Sequence, residues 1–217
     1  EHDERIAMIS GFNEDEVTPD CEDSYFFTST FAIWGWASWR RVVDKWEGDY
    51  AFLRDKQAMK RLQSLVRQRG YRKDFLPMCT EHQQSGKEYY ESIFWASMLL
   101  NSGLAIMPSK NLVNNLGLSD NSTHFSGSIQ TTPKAYRRIF TMKRYELEFP
   151  LRHPRYVIEN IDYKERLYKT NAWGHPFIKM GRSMEELFLN LRYGNFSIIT
   201  KAIKRRINKW LGKDWHV

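Results

Sequence analysis

Early in the chain, hydrophobic positions come in short runs. Ile6-Ala7-Met8-Ile9, closed by Ser10-Gly11, reads as a buried strand, and its abrupt start suggests that earlier strands lie outside the chain. Residues 13–23 are acidic and hold Pro19, as a loop does. Tyr25 to Ile33 is rich in aromatic residues and threonine and predicts a strand. Ser38 is positioned to cap a short helix running through Val43 to Trp46. From Lys56 to Arg69 the spacing becomes helical, with Met59, Leu62, Leu65 and Val66 on one side and Gly70 as the stop. Glu88 to Asn101 predicts a second helix that buries Ile93, Phe94, Met98 and Leu99 and stops at Gly103. Leu104-Ala105-Ile106-Met107 is a short strand, Asn111 to Asn115 an irregular or edge segment, and Ser119 to Ser128 a polar loop.

After residue 130 the pattern changes. Arg144 to Pro154 is extended and carries two breakers, Pro150 and Pro154. Residues 162–169 predict a short helix and Met184 to Leu191 another. From Phe196 onward Ile199, Ile203, Ile207, Trp210 and Leu211 share one face, with lysine and arginine on the other. The expected fold class is α/β, a mixed sheet flanked by helices with a basic helical extension at the C-terminus. The expected division is 1–143 for the α/β part and 144–217 for the extended segment and tail.

Charge sharpens this division. The chain of 217 residues carries a net +7, and residues 201–217 hold six cations against Asp214 alone. The basic character therefore belongs to a tail and not to a nucleic-acid-binding face. A basic amphipathic helix bearing Lys201, Lys204, Arg205 and Lys209 suits an anionic membrane surface as well as it suits a terminal helix docked on the core. Two cysteines without a CxxC spacing suit a reduced, cytoplasmic protein, peripheral on the inner face of the membrane if the tail binds lipid. No run of eighteen apolar residues crosses a bilayer.

The candidate chemistry lies in an ordered set of motifs. Trp34-Gly35-Trp36-Ala37-Ser38-Trp39 places three tryptophans in six residues. Tyr89-Tyr90-Glu91 opens a helix, and a Pro108-to-Gly117 stretch leads on to Thr123-His124. Tryptophans serve as core or as platforms for sugar rings. Gly35, lacking a Cβ, lets a ligand or backbone approach closely.

In order and spacing these stretches resemble the acceptor-side half of GT-A-fold glycosyltransferases. The likeness is to a bacterial family-2-like group sometimes labelled haemolysin-activation proteins. It extends over roughly residues 3–155, through Asp3-Glu4-Arg5-Ile6, Ser10-Gly11-Phe12-Asn13, the tryptophan motif, Tyr90-Glu91, Asn111-Leu112-Val113-Asn114-Asn115-Leu116-Gly117, Thr123-His124 and Leu151-Arg152-His153-Pro154.

The resemblance implies a nucleotide-sugar donor, a saccharide or lipid-linked acceptor, and a role in cell-surface polysaccharide synthesis. It implies Glu91 as general base, with Glu88 as runner-up, and His124 as a ligand to the metal or diphosphate. It implies Trp34, Gly35, Trp36, Trp39 and Tyr90 as sugar contacts, and Mg²⁺ or Mn²⁺ as the metal of a full-length protein. The family's acidic metal motif normally precedes the segment matching Asp3–Asn13. The expectation is therefore a piece lacking the donor-binding half, inactive and metal-free by itself. The competing reading is a non-catalytic carbohydrate- or membrane-surface-binding module. A sheet edge left by missing strands would allow a homodimer.

Overall fold

The computed structural model describes residues 2–116 and 129–210. By its contacts the chain forms two compact units that interleave along the sequence. The first contains residues 1–115 and 141–175, and the second residues 116–140 and 176–217. A contiguous cut between 143 and 144 would place 144–175 in the tail, whereas their contacts are with the first unit.

The first unit is built on a four-stranded mixed sheet of order β2-β4-β1-β3, which makes the protein α/β. Its strands are β1 (Ile6–Ser10), β2 (Tyr25–Thr28), β3 (Trp36–Ser38) and β4 (Leu104–Pro108). β1 and β4 run parallel at the centre, β3 pairs antiparallel with β1, and β2 antiparallel with β4. Alternation sets their faces: Ala105 and Met107 of β4 are fully buried, and so is Met8 of β1, while Ile9 is exposed.

The helices of this unit follow from local signals. α1 (Arg40–Val43) is a single turn after β3. Asp55 caps α2 (Lys56–Leu65), its Oδ1 accepting from the backbone N–H of Gln57 at 2.7 Å and of Ala58 at 3.1 Å. α3 (Arg69–Ser85) buries Tyr71, Phe75 and Cys79, one residue per turn. α4 (Tyr90–Leu100) is apolar on nearly every side and lies between two core clusters. Phe94 and Met98 join the sheet-side cluster, and Ile93 and Ala96 join the cluster under α2 and α3. α6 (Ile161–Thr170) packs Tyr163 on Phe26 at 4.8 Å between ring centroids. Its Arg166 bridges to Asp15 at 2.8 Å and Asp20 at 2.7 Å.

The second unit holds most of α5 (Lys134–Thr141), together with α7 (Pro176–Arg192) and α8 (Phe196–Trp210). Pro176 occupies the first position of α7, where its missing N–H costs nothing. The Lys134 N–H donates to Glu185 at 2.9 Å, and the Arg182 guanidinium lies 5.1 Å over the Tyr136 ring.

Several local expectations are corrected. Ser38 ends β3 instead of capping a helix, because its Oγ donates to the Ala7 carbonyl across the sheet at 2.7 Å. Gly70 does not stop a helix but sits in the first turn of α3, where the backbone of Trp173 and Gly174 leaves no room for a Cβ. The strand expected over Tyr25 to Ile33 ends at Thr28, and Leu65 faces solvent. The helix expected over Glu88 to Asn101 starts at Tyr90, which leaves Glu88 in the preceding loop.

Candidate functional site

Three of the sequence motifs meet at one end of the sheet. β1 and β4 are parallel, so Ser10 and Pro108 mark the same carboxyl edge. The antiparallel partner β3 pairs Trp36 with Ser10, which brings Trp34 and Gly35 to that edge as well. The Gly11 N–H donates to the Gly35 carbonyl at 2.8 Å, and the Leu112 N–H donates to the Gly11 carbonyl at 2.9 Å. Val113 packs against both glycines. A Cβ on Gly35, whose φ is +57°, would stand 2.9 Å from Val113 Cγ1, so no side chain fits there. The carboxyl edge of parallel strands is where open α/β sheets bind ligands, because loops from several strands converge there.

Buried asparagines hold these loops together. Asn13 and Asn111 are fully buried. Asn13 Nδ2 donates to Thr18 Oγ1 at 2.9 Å and to the Pro108 carbonyl at 2.7 Å, and the Asn13 N–H donates to Asn111 Oδ1 at 3.0 Å. Asn111 Nδ2 reaches Asn114 Oδ1 at 3.0 Å, and Asn114 Nδ2 donates to the Met142 carbonyl. Asn111 to Asn115 form no strand: the Asn111 N–H donates to the Glu16 carbonyl at 2.8 Å, the Leu112 N–H donates to the Gly11 carbonyl, and the Asn111 carbonyl accepts from the Tyr145 N–H at 2.8 Å, so the partners come from separate loops and not from one ladder.

The tryptophans are half-buried, with one side packed. Trp34 meets Phe12 edge-on with ring centroids 4.6 Å apart. Trp36 lies 5.5 Å from Phe94 of α4, and Trp39 packs on the same core with Arg41 over its ring at 5.0 Å. Trp46 continues the row between Phe94, at 5.5 Å, and Tyr90, at 6.1 Å. The buried Trp46 Nε1 finds no acceptor among the described residues. Tyr90 itself is 57% exposed.

Glu91 stands half-buried in the first turn of α4, one turn from Phe94. α4 feeds β4 through a tight Asn101–Gly103 connection, in which the Gly103 N–H donates to the Met98 carbonyl at 2.8 Å. Helix and strand are each about 16 Å long. A chain that reverses direction so sharply returns the α4 N-terminus toward the carboxyl edge, and the Trp36–Phe94 contact marks that approach. Glu88 instead lines an open cleft of about 640 Å³ with Asp49, Tyr50, Arg54, Gln83 and Lys87. The two acids thus have different surroundings, Glu91 beside the aromatic row and Glu88 in a polar, charged groove.

Beneath the α4 turn lies a polar relay that sequence reading missed. Tyr50 Oη and His82 Nδ1 each sit 2.7 Å from Ser92 Oγ, and the His82 ring stacks on Tyr89 at 3.9 Å. Burial pushes the Tyr50 hydroxyl above its ordinary range. Ser92 is fully buried and its Oγ lies 3.2 Å from the Tyr89 carbonyl, so this serine–histidine pair anchors the Tyr89–Glu91 turn. The three residues come from separate elements, and no spacing signal links them.

His124, Thr123 and Gly117 lie outside the described residues. Among the described residues no three His, Cys, Asp or Glu side chains gather as a metal-ligand set. Lys201 and Lys204 are exposed on α8, and the side chains of Arg205 and Lys209 lie outside the described set. Cys21 and Cys79 are free thiols, and burial raises Cys79 to about 12. No helix among the described residues is long and apolar enough to cross a membrane. No family model, no curated protein and no solved structure matches the chain.

Proposed function

We propose that the first unit is the acceptor-side part of a GT-A-like glycosyltransferase, moving a sugar from a nucleotide-sugar donor to a saccharide or lipid-linked acceptor. One observation carries this reading. The glycine loop after β1, the Trp34–Gly35 loop and the Asn111–Val113 segment meet at the carboxyl edge of parallel strands, and the Glu91 turn of α4 is taken to face that edge. Glu91 takes the proton of the acceptor hydroxyl. The freed oxygen bonds to the anomeric carbon as that carbon's bond to the diphosphate breaks, and the nucleoside diphosphate leaves with the bond's electron pair. Direct attack inverts the anomeric centre. The aromatic row of Trp36, Trp46 and Tyr90 excludes water and offers flat faces to the sugar. The family resemblance adds a divalent metal to neutralise the diphosphate. The described residues supply no cluster for it, so none of these steps runs through it.

The test is transfer by the full gene product with Glu91→Gln and Glu88→Gln. The Glu91 variant should lose at least about a hundredfold in kcat, the usual worth of a general base, while nucleotide binding changes little. Unchanged turnover in Glu91→Gln, with loss in Glu88→Gln, would move the base to the polar cleft. A non-catalytic carbohydrate-binding module is the second reading, favoured by the exposure of Tyr90 beside Trp46. It requires glycan binding that Tyr90→Ala weakens, with no transfer by any form of the gene product.

A further inference from the structure

α7 wears its apolar side outward. Phe177, Met180, Met184, Leu187, Phe188 and Leu191 follow helical spacing along one stripe about 21 Å long. All are exposed, with Phe177 at 81%, Met184 at 65% and Phe188 at 62%. The opposite side makes the packing contacts of its unit: Arg182 covers Tyr136, Glu185 accepts from Lys134, and the buried Asn190 lines an apolar cleft with Phe140 and Ile198. A water-facing helix normally shows the reverse arrangement. α8 continues the pattern, with Phe196 at 62%, Ile203 at 49% and Ile207 at 50% exposed, again at helical spacing.

Charge says what covers this surface. Residues 116–140 and 176–217 carry twelve lysines and arginines against four acidic residues, while the rest of the chain carries twenty-one against twenty-two. The entire net positive charge therefore belongs to the unit with the outward apolar stripes. A second copy of the same face would bring like charge. An anionic bilayer supplies both an apolar layer for the stripe and a negative surface for the lysines.

We infer that α7 and α8 form an interfacial membrane-binding device for anionic lipid, with the α7 stripe as its main apolar contact. Too short and too charged to span, the two helices lie in the headgroup plane and hold the protein at the bilayer. This holds whether or not the first unit transfers sugar.

Co-sedimentation of the intact chain with phosphatidylcholine vesicles, with and without phosphatidylglycerol, tests it. Binding should require phosphatidylglycerol and weaken with added salt. Met184→Ser/Phe188→Ser should reduce partitioning by about tenfold or more. Lys201→Ala/Lys204→Ala should also reduce it about tenfold. Helix content by circular dichroism should hold, because all four side chains are exposed. Absence of binding, equal binding to pure phosphatidylcholine, or undiminished binding by Met184→Ser/Phe188→Ser would each overturn the inference. So would a dimer that dissociates on that substitution while no vesicles are bound, which would assign the stripe to a second copy.

Discussion

Phe94 of the first unit and Phe188 of the second are used in opposite ways. Phe94 is fully buried between Trp36, Phe31 and Trp46, whereas Phe188 is 62% exposed on α7. The first unit holds two buried apolar clusters and buries two asparagines, Asn13 and Asn111, that lock its loops. The second turns apolar residues outward and surrounds them with positive charge. A unit that stabilises itself by burial can position a site. One that keeps apolar surface in reserve is shaped to meet something else.

The largest effect that would test this contrast is Phe94→Ala. It leaves a cavity where three aromatic rings meet and should cost about 4 kcal/mol, read as a shift in the urea midpoint. A loss below about 1 kcal/mol would mean the aromatic row is not core. Asn111→Ala comes next, at about 2–3 kcal/mol, because it strands the buried Asn13 N–H and removes the donor to the Lys143 carbonyl. Gly35→Ala should cost about 1–2 kcal/mol through its left-handed φ and the Val113 contact, and Val113→Ala should recover part of it. Phe188→Ala should change stability by no more than about 0.5 kcal/mol while weakening vesicle binding, and a larger loss would place its ring in a core.

Acid offers a smaller, graded test of the first unit. Burial alone would raise the Asp20 carboxyl, but the hydrogen bonds from Arg166 and Asn160 outweigh it and hold the group below its ordinary value. For Glu159 burial likewise opposes, and the Ser29 and Lys164 bonds win. Both folded values are depressed. Their stabilisation is thus complete above the unfolded carboxylate range and is lost as pH falls through the folded values, below about pH 4. The urea midpoint of the first unit should fall over that window. Arg166→Gln should lower the midpoint at neutral pH and flatten its acid dependence, and an unchanged slope would remove the Arg166 pairs as a cause.

Much of this was legible along the chain. Ile6–Ile9, Leu104–Met107 and the apolar helix ending before Gly103 were readable because runs and periods report local geometry directly. α3 was not, since Pro77 and dense charge masked the Tyr71, Phe75 and Cys79 repeat. Gly70 misled because a glycine required for close approach by Trp173 looks, in sequence, like a helix stop. Of the candidate site, the tryptophan and glycine motifs stood out by composition, and Glu91 by its place in a family-like order. The Tyr50–Ser92–His82 relay gave no signal, since its members touch only after α3 and α4 pack.

Sequence by itself determined the α/β alternation and the concentration of positive charge toward the C-terminus, both of which depend on residue type and near neighbours. Only tertiary structure decided which side of α7 faces water, that residues 144–175 return to the first unit, and that three distant loops close over one sheet edge. Those outcomes depend on contacts between residues far apart in the chain. A helical period reveals that a face is apolar, but what that face meets is set by everything that packs around it.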